Sequence, residues 1–205
     1  MRRIAIGLIA LGVMLFGTAS AQGSVLTSAG GTISYVADQG ERNDVLVSNG
    51  FLLGAPVYTF ADADAHPIQI GGGLCDLVNG VGMCRQEFIA SIVIDVRDRD
   101  DTAQIGGTVS IGALMIGGRG NDNLMGGNGN DILKGNNGRD SLRGRRGADV
   151  YKGGRGRDNL QTLDGLRDTF ISCGDGGGDV LRKDKKDPRG RHCEHSNHKN
   201  ISKPH

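Results

Sequence analysis

The 205-residue chain holds 36 glycines against five phenylalanines, three tyrosines and no tryptophan, which excludes an ordinary core of large side chains. Glycine at that level without collagen's three-residue period leaves either disorder or a repeat architecture. The formal net charge of +1 conceals two unlike halves: residues 22–116 carry 11 acidic and 4 basic residues, net −7, and residues 117–205 carry 12 acidic and 18 basic, net +6.

Residues 1–21 place Arg2 and Arg3 before an uncharged apolar run from Ile4 to Phe16 and close on Ala19-Ser20-Ala21. That order is that of a secretory signal cleaved after Ala21. The run is shorter than the roughly 20 residues needed to cross a bilayer, so no membrane span is expected after cleavage, and the protein is expected to be extracellular. Residues 22–116 show apolar alternation at Thr32–Val36 and Asp44–Val47 and apolar runs at Phe88–Val96 and Val109–Ile116. These read as short strands separated by Gly, Asn and Asp, an N-terminal β-rich region with no helical stretch. Four cysteines in an exported chain imply two disulfides, for which three pairings exist. Cys75 and Cys84 flank a glycine-rich loop and Cys173 and Cys193 bracket the C-terminal end, so pairing within each half is the expectation. Metal ligation by cysteine is the rival reading, and no C-x-x-C spacing supports it.

Residues 117–161 fall into five rows of nine without an insertion: GGRGNDNLM, GGNGNDILK, GNNGRDSLR, GRRGADVYK and GGRGRDNLQ. Aspartate holds the sixth place in each, as Asp122, Asp131, Asp140, Asp149 and Asp158. Glycine holds the first and fourth places, and the eighth is Leu124, Leu133, Leu142, Tyr151 and Leu160. A flexible low-complexity linker would not keep an acidic and an aliphatic residue in fixed phase over 45 positions.

The pattern resembles the RTX, or hemolysin-type, calcium-binding repeat of secreted bacterial proteins. The resemblance implies an all-β fold, a parallel β-roll (β-solenoid) in which six residues turn, three form a short strand and two nonapeptides complete one coil. It also implies Ca2+ bound between stacked turns, with Asp122, Asp131, Asp140, Asp149, Asp158 and, further on, Asp179 as metal ligands. Elementary chemistry agrees: glycine permits the tight turns, and carbonyls with one aspartate per turn are the hard oxygen donors that calcium takes in sets of six to eight. With two rows per coil, Asp122, Asp140 and Asp158 stand on one side and Asp131 and Asp149 on the other. Arg119, Arg139, Arg145, Arg146, Arg155 and Arg157 are among nine basic residues that, against five aspartates, give the rows a net charge of +4, which favours weak calcium affinity.

The flanks keep the same vocabulary. Asp98–Asp101, followed by Thr102, has the Asp-Asp-Thr of degenerate repeats. Past Gln161 the register slips through an irregular turn with Asp164 and Asp168. It is then expected to resume at Gly174–Leu181, with Asp179 sixth and Leu181 eighth, as a capped last coil of a roll spanning 117–181. Residues 182–205 form a basic tail with His192, His195, His198 and His205, read as solvated. A transition-metal site at His192, Cys193 and His195 fits no standard spacing.

No metalloprotease helix, nucleophile elbow or phosphate loop is present, and His66 has no context that would make it a general base, so no enzyme is expected. The expected function is that of a secreted protein that binds calcium and folds on binding. The alternative is an extracellular adhesion module whose basic rows and tail hold an anionic cell-surface polymer, with nucleic acid the least favoured of such partners.

Overall fold

The computed structural model describes residues 23–63, 68–71 and 73–198; the signal at 1–21, His66 and His205 lie outside the described residues. Among the described residues there is no helix, and hence none long and apolar enough to cross a membrane. The N-terminal region forms β1 (Val25–Ala29), β2 (Thr32–Val36), β3 (Asp44–Leu52), β4 (Ala55–Asp62), β5 (Gln69–Ile70), β6 (Cys75–Val78) and β7 (Val81–Arg85). From β8 onward the chain alternates between two sheets. β8 (Ser91–Asp95), β10 (Gly112–Arg119), β12 (Ile132–Asn137), β14 (Val150–Arg155) and β16 (Phe170–Asp175) build one; β9 (Thr102–Ile105), β11 (Asn123–Met125), β13 (Ser141–Arg143), β15 (Asn159–Thr162), β17 (Val180–Lys183) and β18 (His195–His198) build the other.

Every neighbour along these two series pairs in parallel, which makes the expected parallel β-roll. The stacking begins ahead of the regular rows: β2 pairs in parallel with β8 and β3 with β9. The chain then departs before the second coil. β4, β7 and β6 extend the β3 sheet by antiparallel pairing, and β1 and β5 extend the β2 sheet. This excursion covers the N-terminal end of the solenoid, whose first coil would otherwise expose open core.

The eighth-place residues form the core, as the nonapeptide phase requires. Two inward columns face each other, Tyr35–Ile94–Met115–Leu133–Tyr151–Ile171 on one sheet and Val45–Ala103–Leu124–Leu142–Leu160–Leu181 on the other, all buried. The β2, β8 and β9 coils add a second inward position, with Ile33, Ile92 and Ile105. In the regular rows each strand, three residues long in β11 and β13 and six in β12 and β14, supplies one large inward residue, worth about 2 kcal/mol of burial each. A core that thin leaves turn chemistry to decide the stability of the roll.

The segment expected as a solvated tail adds a further coil as far as His198. Arg191 bridges to Ser172 in the first sheet, its guanidinium lies 5.2 Å over the Phe170 ring, and β18 pairs with β17. The disulfide Cys173–Cys193, with Cα atoms 5.2 Å apart, ties this coil to the one before it, and Cys75–Cys84 joins β6 to β7 directly across the strand pair. The local pairing read from the spacing is therefore found in both halves. The resumed register differs by one place: Gly174 stands beside Gly154, a second-place residue, so the turn to Asp179 is longer than a regular one.

Fourth-place glycines stack so closely that no side chain fits. A Cβ on Gly138, whose φ is +140°, would collide with the Gly120 carbonyl, just as one on Gly156 would meet Gly138. Gly138→Ala is accordingly expected to destabilise the roll by about 3 kcal/mol or more, against about 0.5 kcal/mol for alanine at the exposed Lys152. Calcium-saturated thermal melts of the two variants make the comparison.

Candidate metal centre

Each coil turns twice. At one edge, here the first edge, the chain passes from the β10 sheet to the β11 sheet through turns that end on Asp101, Asp122, Asp140, Asp158 and Asp179. At the second edge it returns through turns that end on Asp131, Asp149, Asp168 and Asp187. The sequence split of Asp122, Asp140 and Asp158 from Asp131 and Asp149 is what the stacking produces.

A single contact builds both columns. The Oδ1 of each aspartate accepts the backbone N–H of the equivalent residue one coil earlier. On the first edge Asp101 N–H donates to Asp122 at 3.0 Å, Asp122 to Asp140 at 2.9 Å, Asp140 to Asp158 at 2.9 Å and Asp158 to Asp179 at 2.7 Å. Asn43 starts the ladder by donating to Asp101 at 2.8 Å. On the second edge Ala113 donates to Asp131, Asp131 to Asp149, Asp149 to Asp168 and Asp168 to Asp187. Asp131 thus has no carboxylate beneath it, because Ala113 occupies that place.

The other carboxylate oxygen distinguishes the edges. Oδ2 of Asp101, Asp122, Asp140, Asp158 and Asp179 is buried without a hydrogen-bond partner, an uninterrupted file along the first edge. On the second edge the corresponding orphans are Asp168 and its neighbour Asp164. A buried oxygen left unpaired costs roughly 1–3 kcal/mol, so five in a row call for a common partner. The first-place glycines shape the space around them. A Cβ on Gly117 would meet Asp122 Oδ2 and the Gly135 carbonyl, one on Gly135 would meet Asp140 Oδ2 and the Gly153 carbonyl, and one on Gly153 would meet Asp158 Oδ2 and the Cys173 carbonyl. The orphan oxygens of Asp122, Asp140 and Asp158 therefore each face a carbonyl of the next coil. Among the described residues no three His, Cys, Asp or Glu side chains converge, so an ion between turns would draw the rest of its ligands from the backbone. Hard oxygens of mixed carboxylate and carbonyl type fit calcium and suit neither zinc nor copper.

The same burial disturbs the titration of the carboxyls. Loss of hydration pushes Asp122 and Asp149 up to about 7, Asp101, Asp131, Asp140 and Asp158 to about 6, and Asp168, which also faces Asp187, Asp149 and Asp164, to about 8. Without a cation, folding makes these groups hold protons.

Asp101, Asp168 and Asp187 complete the columns although they lie outside the regular rows. Their spacings to the neighbouring column member are 21, 19 and 19 residues instead of 18. Asp101 keeps the sequence Asp-x-core, with Ala103 in the inward column. Arg97 and Arg99 take the left-handed places that Gly118 and Gly120 hold in the first regular row, at φ 65° and 86°. At the C-terminal end Glu194 precedes β18 as Asp179 precedes β17, and its carboxylate accepts the Gly178 N–H at 2.5 Å.

The family model of the RTX calcium-binding nonapeptide repeat, four copies long, matches this chain twice in overlapping register, at residues 116–151 and 125–160. No curated protein and no solved structure matches the chain. The match covers the rows whose aspartates form the central part of both columns, and calcium binding by a β-roll is what such repeats suggest. Residues 116–160 of this chain match the RTX calcium-binding nonapeptide repeat and fold as a parallel β-roll.

Proposed function

We propose that the protein is an exported calcium-binding protein whose first edge holds a file of ions between successive turns and whose roll folds on binding them. The observation that carries this reading is the unbroken series of buried, unpartnered Oδ2 atoms on Asp101, Asp122, Asp140, Asp158 and Asp179. Asp122, Asp140, Asp158 and Asp179 would ligate as the repeat pattern implies, with Asp101 added from the degenerate turn. The ion supplies the positive charge that a column of stacked carboxylates lacks, and the first-place carbonyls would complete its oxygen shell. Export rests on residues 1–21, and two disulfides accord with an oxidising destination.

Folding on binding follows from the balance of terms. One inward residue per strand cannot offset the entropy of ordering glycine-rich turns, at roughly 1–2 kcal/mol per residue, so ligand binding must contribute. Far-ultraviolet circular dichroism of the full chain at pH 7.5 tests it: β signal and a higher melting temperature in ~10 mM calcium than in chelator are expected. Identical spectra and melts would refute coupled folding.

A further inference from the structure

We propose that Arg145 is a built-in cation that takes the place of calcium at the Asp131 turn, with the Tyr151 hydroxyl closing the Asp149 turn, so that the regular repeats load ions along one edge only. This rests on the calcium reading of the first edge. It concerns the second edge, where the same repeat sequence has produced a different surface.

Three observations separate the Asp131 turn from its counterparts. In the rows starting at Gly117, Gly135, Gly144 and Gly153, the second and fourth places all have left-handed backbone: Gly118 and Gly120, Asn136 and Gly138, Arg145 and Gly147, Gly154 and Gly156. Gly127 and Gly129 do not, although glycine at both places makes that conformation free. The turn has instead closed on its own carboxylate, and Gly127 N–H donates to Asp131 Oδ2 at 2.8 Å. That oxygen is therefore satisfied, unlike every Oδ2 of the first-edge column.

The third observation is the arginine itself. Arg145 stands where the first row has Gly118, and its side chain runs back along the edge. Nη1 donates to the Ile105 carbonyl at 2.5 Å and Nη2 contacts Met125 Sδ at 2.7 Å. By continuation of the β9–β11 register, Ile105 lies beneath Gly126, so its carbonyl is the first-place carbonyl of the coil before, while the carbonyl that meets Asp131 Oδ2 around Gly126 is that of Gly144 in the coil after. The guanidinium thus takes the first-place carbonyl directly below the Asp131 turn, and its charge offsets part of the burial that raises the Asp131 carboxyl. An arginine remains charged at any physiological pH, so this cation is permanent.

One coil further on, a phenol fills the space. A Cβ on Gly144 would meet Asp149 Oδ2 and Tyr151 Oη, whereas at Gly117, Gly126, Gly135 and Gly153 the second neighbour is a carbonyl of the next coil. Tyr151 Oη accepts Gly144 N–H at 2.9 Å and donates toward Asp149 Oδ2 and the Gln161 carbonyl, both at 3.5 Å. Leucine at the eighth place of the other rows has no such atom. The device recurs at the C-terminal end of this edge, where the buried Lys183 ammonium donates to the Asp184 and Asp187 carbonyls at 3.1 and 3.2 Å. Asp164 and Asp168 stand between these plugs with their Oδ2 atoms unpartnered.

Calcium bound at saturation, measured by equilibrium dialysis of the full chain, tests the assignment against four variants. Asp131→Asn is expected to bind as many ions as the wild type, and Asp140→Asn fewer. Arg145→Gly, which restores the residue type of Gly118, is expected to bind one ion more, and Arg145→Gln the same should the glycine variant fold poorly. Loss of an ion in Asp131→Asn, or no gain in either Arg145 variant, overturns the proposal while leaving the first edge standing. A wild-type chain that binds no calcium overturns both.

Discussion

In the presence of chelator, lowering the pH from 8 to 5 is expected to increase the β structure of the roll, the reverse of ordinary acid denaturation. The carboxyls of Asp101, Asp122, Asp131, Asp140, Asp149, Asp158 and Asp168 are raised by burial from the usual range to between about 6 and about 8. A group whose folded value lies above its unfolded value contributes stability that is fully present below the unfolded value and lost as pH rises through the folded one. Here that window runs from about pH 4 to about pH 8. The calcium-free roll should therefore be most stable near the bottom of it and least stable at pH 8. Calcium competes with the same protons, so its affinity should fall on acidification, by about tenfold per pH unit for each proton displaced. Circular dichroism in chelator at pH 5 and 8, with calcium titrations at pH 6 and 7.5, checks both statements. A chelated roll that unfolds on acidification, or an affinity independent of pH, would contradict them.

Asp140→Ala is expected to be the most damaging single loss on the first edge. Asp140 stands between the Asp122 and Asp158 turns, so its Oδ2 borders two intervals of the file, and its Oδ1 holds the Asp122 N–H. Removing it should abolish two ions and raise the calcium needed for folding on the order of 100-fold, about 2.8 kcal/mol. Asp131→Ala also strips a ladder hydrogen bond, from Ala113 N–H, and so destabilises the roll, yet it should leave the ion count unchanged. Calorimetry of the two variants separates an effect on ions from an effect on the ladder. Equal loss of ions in both would mean that the edges are equivalent.

The nonapeptide phase made much of this legible. Period nine placed Leu124, Leu142 and Leu160 in one column and Leu133 and Tyr151 in the other, and it separated the two aspartate columns. What escaped it has physical causes. Asp101 belongs to a turn with Val96 and Arg99 at the first and fourth places and only Ala103 in the core, so neither glycine nor leucine marks the row. Asp168 and Asp187 sit at spacings of 19, where one additional residue moves the turn out of phase while the hydrogen-bond column persists. The last coil has few apolar residues to announce it, being held by the Cys173–Cys193 disulfide, the Arg191 bridge and Glu194 rather than by a buried leucine. The arginines read as a general threat to affinity differ by position. Arg157 Nε donates to the Gly178 carbonyl at 3.0 Å on an exposed face, whereas Arg145 turns along the second edge, which no repeat pattern foretells.

Isothermal titration of calcium into the chelator-stripped full chain at pH 7.5, with magnesium as the control, decides whether the first-edge turns bind calcium. The expected result is saturable binding of several ions, filling the four intervals between Asp101, Asp122, Asp140, Asp158 and Asp179, with little response to magnesium, which demands a small octahedral shell that carbonyl-lined turns do not provide. Absence of saturable calcium binding up to ~10 mM, well past the range of roughly 10⁻⁴–10⁻³ M common in extracellular modules, would contradict it.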